Sequence, residues 1–525
     1  MGIEGGFRVV RGAESTMHEL ILTTDLELTP TLVEDVARRG ARVSLDAESA
    51  ARVDACRGLL ERVLDTGNPH YGINTGFGSL ARERIAREDL QTLQRNLIRS
   101  HAAGVGSPLD VDVVRAMMLI LATSLTRAKS GIRPLVIEQI IALLNNGITP
   151  VVPESGSVGA SGDLAPLAHV TLVLMGEGEA IVDGARIPGG DALRMAQLEP
   201  IELEAKEGLA LINGTHLMCG RFALIERDLS RVIDAALIAN AMSMDAARTS
   251  HGFLDPRVYE VRNQPGASRV ASTLRSLLSG STIVGSHAEN DPRVQDPYSF
   301  RAAPLVLGSA LDMIESCMAR LTNELGAVTD NPLIFDIGAD MPDIVSAGCF
   351  HGMPVALPMD ACAIAVSHMA GISERRMYHI LSAFDPESNL RAFMSPKPGV
   401  MSGFMIVQYA AAAMCNELIG LCTPASVSNL STCAGMEDYN SFGPRSAAKL
   451  ARVVQLTRSV IACELLTSAE GVDAHRPYVS GDRVEHAIRV IREAVPTLET
   501  DRSPSPDIEL IERLIDSGAL VLAVE

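Results

Sequence analysis

The chain of 525 residues contains no tryptophan, and aromatic residues make up only 3% of it. Hydrophobic residues still reach 47% and charged residues 21%. That mixture is globular and excludes a disordered or collagen-like chain. Basic residues are the minority, 45 against 64 acidic, for a formal charge of −19. Nucleic-acid binding needs clustered Lys and Arg to displace counterions, so this balance argues against it. Anionic small molecules stay possible, because one buried arginine outweighs the global field locally. No CxxC pair occurs among the cysteines at 56, 219, 317, 349, 362, 415, 422, 433 and 463. The odd number and apolar neighbours point to buried reduced thiols in a cytosolic protein, with no metal site. Long uncharged apolar runs are missing too: none reaches the roughly 18 residues that span a bilayer. The first residues carry Glu4, Arg8, Arg11 and Glu14 without an apolar core, unlike a secretory leader. Gly6 stands where N-myristoylation wants Ser or Thr. A cytoplasmic protein with no membrane partner is expected.

A chain of this length builds two or more lobes, or one large helical unit. A short strand is expected at Glu19–Leu22, and a helical pattern runs from Asp46 to Leu64. The run Tyr71-Gly-Ile-Asn-Thr-Gly-Phe-Gly78 then carries too many glycines for a stable helix and reads as a loop. Helical periodicity resumes over 90–100 and 111–125, and Pro134 opens a further helix that Gly147 closes. Beyond Gly208 the chain turns to long segments rich in Ala, Leu and Met, at 216–246, 302–325, 354–383, 403–422 and 444–470. Such lengths suit a bundle. Met242, Met244, Met401 and Met405 read as core packing. Pro496, Pro504 and Pro506 suggest a surface-wrapping tail with one helix near 508–520. The expected fold is therefore mainly α: a mixed N-terminal lobe, 1–205, carrying the glycine-rich loops, then a long helical bundle, 206–525, with a C-terminal tail.

A second glycine-rich stretch, Gly156-Ser-Val-Gly-Ala-Ser-Gly-Asp163, leads into Leu164-Ala-Pro-Leu-Ala-His169, which reads as a helix start with Asp163 as N-cap. The glycines permit a strained loop, and the helix aims its N-terminus at it. This run resembles the signature of the aromatic amino-acid ammonia-lyase and aminomutase family. The resemblance implies that Ala160, Ser161 and Gly162 cyclise, losing water, to form 4-methylidene-imidazol-5-one (MIO). The residue types suit that chemistry. The amide nitrogen of Gly162 must reach the carbonyl carbon of Ala160, and glycine has no side chain to obstruct it. Ser161 gives up its hydroxyl and leaves a carbon–carbon double bond. The product is a strong electrophile, which the reaction needs because β-hydrogens are barely acidic and an amine is a poor leaving group.

The resemblance runs from about residue 46 to about residue 515 and implies a fumarase/aspartase-like helical architecture and a homotetramer whose sites draw on several subunits. By it, Tyr71 is the acid/base acting on the β-carbon. Ionising a phenol of reference pKa near 10 at pH 7 takes roughly 4 kcal/mol, part of which convergent helix N-termini supply. Asn213 in Ile-Asn-Gly-Thr contacts the prosthetic group. In Gln295-Asp-Pro-Tyr-Ser-Phe-Arg301, Arg301 holds the substrate carboxylate with a two-pronged hydrogen bond and Tyr298 assists proton traffic. Asn331 positions the carboxylate, Phe350 stacks near the ring, and Gln408 matches a family glutamine.

Substrate choice rests on fewer residues. Ser100-His101 resembles members acting on histidine and some acting on tyrosine. Glu437 favours histidine, since a carboxylate accepts an imidazole N–H but is buried without a partner against a phenyl ring. Histidine-specific members usually carry Gln before that glutamate, and here it is Met436. His216 is either a pocket residue or a core histidine. The expected reaction is elimination of ammonia from L-histidine to trans-urocanate. The alternatives are a tyrosine or phenylalanine lyase or aminomutase with the same prosthetic group, and a helical assembly protein without chemistry. The Gly-Ser-Ser-x-Met-Pro-x-Lys loop of fumarase-like enzymes is absent.

Overall fold

The computed structural model describes residues 18–522 apart from 290, 336–341, 383–384 and 428. The charges at Glu4, Arg8, Arg11 and Glu14 and the Gly6 position lie outside the described residues.

The N-terminal part is mixed. β1 (Glu19–Leu22) pairs in parallel with β2 (Arg42–Leu45) around α1 (Pro30–Ala37). α2 (Ala47–Asp65) starts at Asp46, whose carboxylate accepts the Ser49 N–H at 2.9 Å, an N-cap that satisfies an otherwise orphaned donor. α3 (Leu90–His101) ends where β3 (Val105–Pro108) meets β5 (Pro153–Ser155). α4 (Val111–Thr126) is apolar almost all round and accordingly buried, and α5 (Pro134–Asn145) stops at Gly147, whose φ of +66° suits glycine. β4 (Thr149–Pro150), β6 (Glu179–Val182) and β7 (Ala185–Pro188) form a small antiparallel sheet beside α6 (Leu164–Leu174) and α7 (Gly189–Met195).

After α8 (Glu207–Ile212) the chain is a bundle. α9 (His216–Ala246) is followed by the shorter α10 (Pro256–Arg262), α11 (Pro265–Leu277), α12 (Thr282–Gly285) and α13 (Tyr298–Arg301). Next come α14 (Ala303–Thr322), the hairpin β8 (Leu333–Phe335) and β9 (Asp343–Val345), α15 (Met353–Ser382), α16 (Met405–Leu421) and α17 (Gly443–Asp473). The expected long helices all form, within a few residues of the sequence boundaries. The tail holds α19 (Ser505–Asp516) as expected, and also α18 (Asp482–Ala494), whose amphipathic run the sequence reading passed over. One continuous hydrophobic core runs from Leu20 to Leu522, with Met242 and Met244 inside it, while Met401 and Met405 are only half-buried. By length and composition α15 alone among the described helices could cross a membrane, and 67% of its apolar window is buried in the bundle.

A polar knot ties α9, α15 and α17 together. The Arg376 guanidinium donates to both oxygens of Glu464 at 2.6 and 2.8 Å, with both side chains at 0% exposure. Ser243 from α9 and Ser373 from α15 donate to the same carboxylate. Buried charges are tolerated only when paired and hydrogen-bonded in this way. Replacing Arg376→Met should therefore cost about 3–5 kcal/mol by stranding Glu464. The check is a denaturant titration, in which the double variant Arg376→Met/Glu464→Met should lose less than the single one.

Candidate active site

The crossing of two backbone strands builds the site. Gly162 and Gly214 form an isolated parallel bridge, the Asp163 N–H donates to the Gly214 carbonyl at 2.7 Å, and the Gly214 N–H donates to the Ser161 carbonyl at 3.3 Å. Gly162 has φ +74°, and a Cβ there would lie 2.0 Å from the Gly214 oxygen. Gly214 has φ +134°, and a Cβ there would lie 2.4 Å from Thr329 Oγ1. Only glycine fits either position. The side chain of Asn213 adds a second donor, Nδ2 to the Ser161 carbonyl at 2.8 Å. α6 and α9 begin just beyond this pair, so two helix N-termini lie against the tripeptide.

Asp163 stands at the start of α6, but its carboxylate does not cap that helix. It reaches across to α9 and accepts the N–H groups of Leu217 and Met218 at 2.9 and 3.1 Å. Its cap thus serves a helix distant in sequence, a pairing that local spacing cannot reveal. Full burial pushes the Asp163 carboxyl up to about 7, partly offset by those two donors. His216, at the start of α9, is 2% exposed and does not line the cavity, so the choice left open falls to a core histidine. Burial lowers it to about 3.

A cavity of 620 Å³ opens over the tripeptide. Of the residues singled out from sequence, it brings together Tyr71, Ser100, His101, Ser161, Asn213, Asn331, Phe350 and Glu437. Ala160 and Gly162 sit buried beside Ser161. The Tyr71 loop is knitted by its own polar groups: Asn74 Oδ1 accepts the His70 N–H at 2.7 Å, and the Tyr71 hydroxyl oxygen accepts the Gly78 N–H at 3.2 Å. Ser100 and His101 end α3, both bonded to the Leu97 carbonyl, at 3.0 and 2.8 Å. The Asn331 carboxamide is engaged at both ends: its Nδ2 donates to Ser346 Oγ at 3.1 Å and its Oδ1 accepts the Ala347 N–H at 2.7 Å.

The cavity does not collect Tyr298, Arg301 or Gln408. Tyr298 is 73% exposed, with the Arg301 guanidinium 4.5 Å above its ring. Arg301 Nε donates to the Asp296 carbonyl at 2.9 Å, and the guanidinium has no carboxylate partner among the described residues. Gln408 Nε2 donates to Glu374 at 2.6 Å on the bundle.

Glu437 is delivered by a tight hairpin. Thr432 and Glu437 form an antiparallel bridge, and Cys433, Ala434 and Gly435 between them have φ values of +51°, +52° and +89°. Left-handed backbone at Cys433 and Ala434 costs of order 1 kcal/mol each, and the surrounding bonds must hold it in place. They do: the Asn429 side chain donates to the Asn440 carbonyl at 3.0 Å and accepts the Asn440 N–H at 3.1 Å, and Ser441 Oγ donates to the Gly159 carbonyl at 3.0 Å. Glu437 Oε1 accepts the Ser161 hydroxyl at 2.9 Å, and Thr432 Oγ1 donates to Oε2 at 2.8 Å. Thr432 and Cys433 were not picked out from sequence. A threonine before the turn-forming Gly435 was the available signal, and it is a weak one alone.

A backbone-lined serine carbonyl, a tyrosine on a glycine-rich loop and a clamped carboxylate around one cavity on a helical bundle define the class. The chain belongs to the aromatic amino acid lyase family, whose profile matches residues 28–493, and it is a carbon–nitrogen lyase. It is 46% identical over 514 residues to histidine ammonia-lyase of Anaeromyxobacter dehalogenans, covering 96% of this chain and 100% of that protein. Among solved structures it is similar to histidine ammonia-lyase from Trypanosoma cruzi, with TM-score 0.86 and 36% identity over 96% of this chain and 94% of that one. Tyrosine aminomutase from Streptomyces globisporus superposes with TM-score 0.87 and 32% identity, covering 95% of this chain and 98% of that one.

Thr432→Val should lower kcat about tenfold with little change in KM, because a charge-assisted hydrogen bond to the Glu437 carboxylate is lost. Thr432→Ser should restore it, and steady-state kinetics separate the two. Acid sensitivity gives a second check. The folded-state value of His216 lies below its ordinary 6.5, so its contribution is complete above 6.5 and is lost as pH falls toward about 3. Asp163 titrates in the opposite sense over an overlapping range, so the comparison needs a variant. His216→Gln should flatten the fall of the thermal midpoint between pH 6.5 and 4 relative to the parent chain.

Proposed function

We propose that the chain converts L-histidine to trans-urocanate and ammonia, using MIO formed from Ala160, Ser161 and Gly162. The observation that carries the reading is the Glu437 carboxylate at Ser161, on the wall of the cavity that Tyr71 also lines. The histidine ammonia-lyase names of relatives at 45–46% identity support the same substrate.

The residues present fit the prosthetic group. Ring closure requires Gly162 N to approach the Ala160 carbonyl carbon, and Gly162 is held in a bend that leaves no room for a side chain. The Ser161 carbonyl oxygen, which the closed ring retains, already receives the Asn213 and Gly214 N–H groups. Fixed donors at that oxygen stabilise negative charge developing there without reorganisation. When formed, the group supplies the electron demand that no ordinary side chain offers.

Tyr71 acts as the base, its oxygen fixed at the cavity wall by the Gly78 N–H. It takes a proton from the substrate β-carbon. The freed electron pair becomes the carbon–carbon double bond as the carbon–nitrogen bond breaks and the amine leaves as ammonia. Glu437, with one oxygen held by Thr432, offers the other to an imidazole N–H. His101, Ser100 and Phe350 line the same space, and Asn331 shapes it through the 343–347 segment.

Arg301 and Tyr298 lie outside this cavity and are free to complete a neighbouring subunit's site, the arginine clamping the substrate carboxylate. That arrangement is a homotetramer with shared sites, and the exposed Ile406, Tyr409 and Ile419 on α16 suit burial between copies. Gln408, on the same helix, belongs to that contact region. Residues 1–205 supply the Tyr71 and tripeptide loops and 206–525 the helical frame. Nine free cysteines fit a reducing cytoplasm.

Three side-by-side measurements test the reading. Intact mass should show the loss of two waters. L-Histidine should yield urocanate while L-tyrosine and L-phenylalanine are poor substrates. Glu437→Gln should reduce histidine turnover by about a hundredfold or more, as loss of an ionic contact in the transition state would. Rapid coumarate or cinnamate formation without urocanate would instead assign a tyrosine or phenylalanine enzyme.

A further inference from the structure

A second cavity, of 470 Å³, is lined by Thr24, Arg52, Arg127, Lys129, Gly326 and Val328 among others. Its three cations are unusual in a chain of net charge −19, where arginines such as Arg57, Arg133 and Arg376 are ion-paired. Among the described residues none of the three meets a carboxylate at ion-pair distance. Arg52 Nη1 donates to Thr24 Oγ1 at 2.9 Å, and Lys129 Nζ stands 5.0 Å over the Phe335 ring. The Arg127 guanidinium is fixed by three carbonyls: Gly326 at 3.0 Å, Thr24 at 2.6 Å and Leu26 at 2.5 Å. Carbonyls orient a guanidinium but do not neutralise it. Asp25, which accepts the Thr24 hydroxyl at 2.6 Å, is the one carboxylate among the described residues whose field reaches Arg127, so against the three lining cations positive charge predominates in the cavity. Convergent cations around a concave surface attract anions by focusing the field there.

The walls of this cavity continue into the active site. On one side Lys129 is followed by Ser130, whose hydroxyl donates to Asp330 at 3.1 Å. On the other, Val328 is followed by Thr329, which accepts the Thr215 N–H at 3.3 Å. Then come Asp330, bonded to the fully buried Lys206 at 2.6 Å, and Asn331, which lines the catalytic cavity.

We propose that Arg52, Arg127 and Lys129 form a binding site for a small phosphate-like oxyanion, and that its occupation stiffens the 325–331 segment behind the catalytic cavity. Arg127 is the preorganised centre, and Arg52 and Lys129 are the adjustable arms. The volume admits either free phosphate or the phosphate group of a small monoester.

The test uses the full-length, mature protein. Inorganic phosphate and glycerol 3-phosphate are titrated by calorimetry in chloride buffer of matched ionic strength, and hydrogen exchange is followed over residues 325–331. Saturable binding of one anion per chain is expected, with slower exchange in that segment. Arg52→Ala and Lys129→Ala should each weaken binding about tenfold, as loss of one charge-assisted contact does. The double reversal Arg52→Glu/Lys129→Glu should abolish it while leaving basal turnover unchanged. Tighter binding of the ester than of phosphate would identify a monoester as the ligand, and the reverse order would identify free phosphate. Absence of saturable binding in the parent chain, or binding that survives the double reversal, would overturn the site. Binding without altered exchange would overturn the coupling.

Discussion

The close crossing of Gly162 and Gly214 is the constraint on which the rest of the site depends. It brings a left-handed glycine against a carbonyl at a distance that no side chain permits, and it turns the Ser161 carbonyl toward two N–H donors. It also brings the beginnings of α6 and α9 together, with the Asp163 carboxylate bonded across the gap. Because α9 runs on into the bundle and is tied to α15 and α17 by the Glu464 knot, the tripeptide loop inherits the rigidity of the longest helices among the described residues. A site that needs sub-ångström placement gains from being mounted on rigid elements.

The second requirement is the approach of segments far apart in sequence. Ser441 binds the Gly159 carbonyl and Phe442 the Val158 carbonyl, which draws the Glu437 hairpin onto the tripeptide loop. The Tyr71 loop reaches the same hairpin. A Cβ at Gly78 would lie 2.5 Å from Cys433 Sγ, so the loop seats on the thiol, and the Gly78 N–H meanwhile serves the Tyr71 oxygen. The Tyr71 loop and the Glu437 hairpin are thus joined through one contact, a mechanical link between two walls of the same cavity.

Much of this was legible in the sequence because it is written in local signals. The long helices follow from apolar periodicity, and the loops at 71–78 and 156–163 follow from glycines that no helix tolerates. The residues around the cavity were found by motif order, which carries information that single residues do not. Three kinds of feature were not legible. Asp163 was placed correctly but assigned to the wrong helix, since its partners lie more than fifty residues away. Thr432 acts only through a hairpin in which two of the three left-handed residues are not glycines, and β-turn chemistry gives no warning of Cys433 or Ala434 at positive φ. Tyr298 and Arg301 were grouped with the cavity by motif, but the fold of one chain leaves them outside it.

The hairpin that carries Glu437 has one more consequence. Its carboxylate is located by the Thr432 bridge and hydroxyl, that is, by backbone geometry and one upstream residue, while the Met436 side chain beside it points away and is 62% exposed. The frame can therefore keep its charged group fixed while the residue at 436 drifts. Such a layout lets a lineage vary the exposed tip of the hairpin without ever passing through a form whose carboxylate has come adrift.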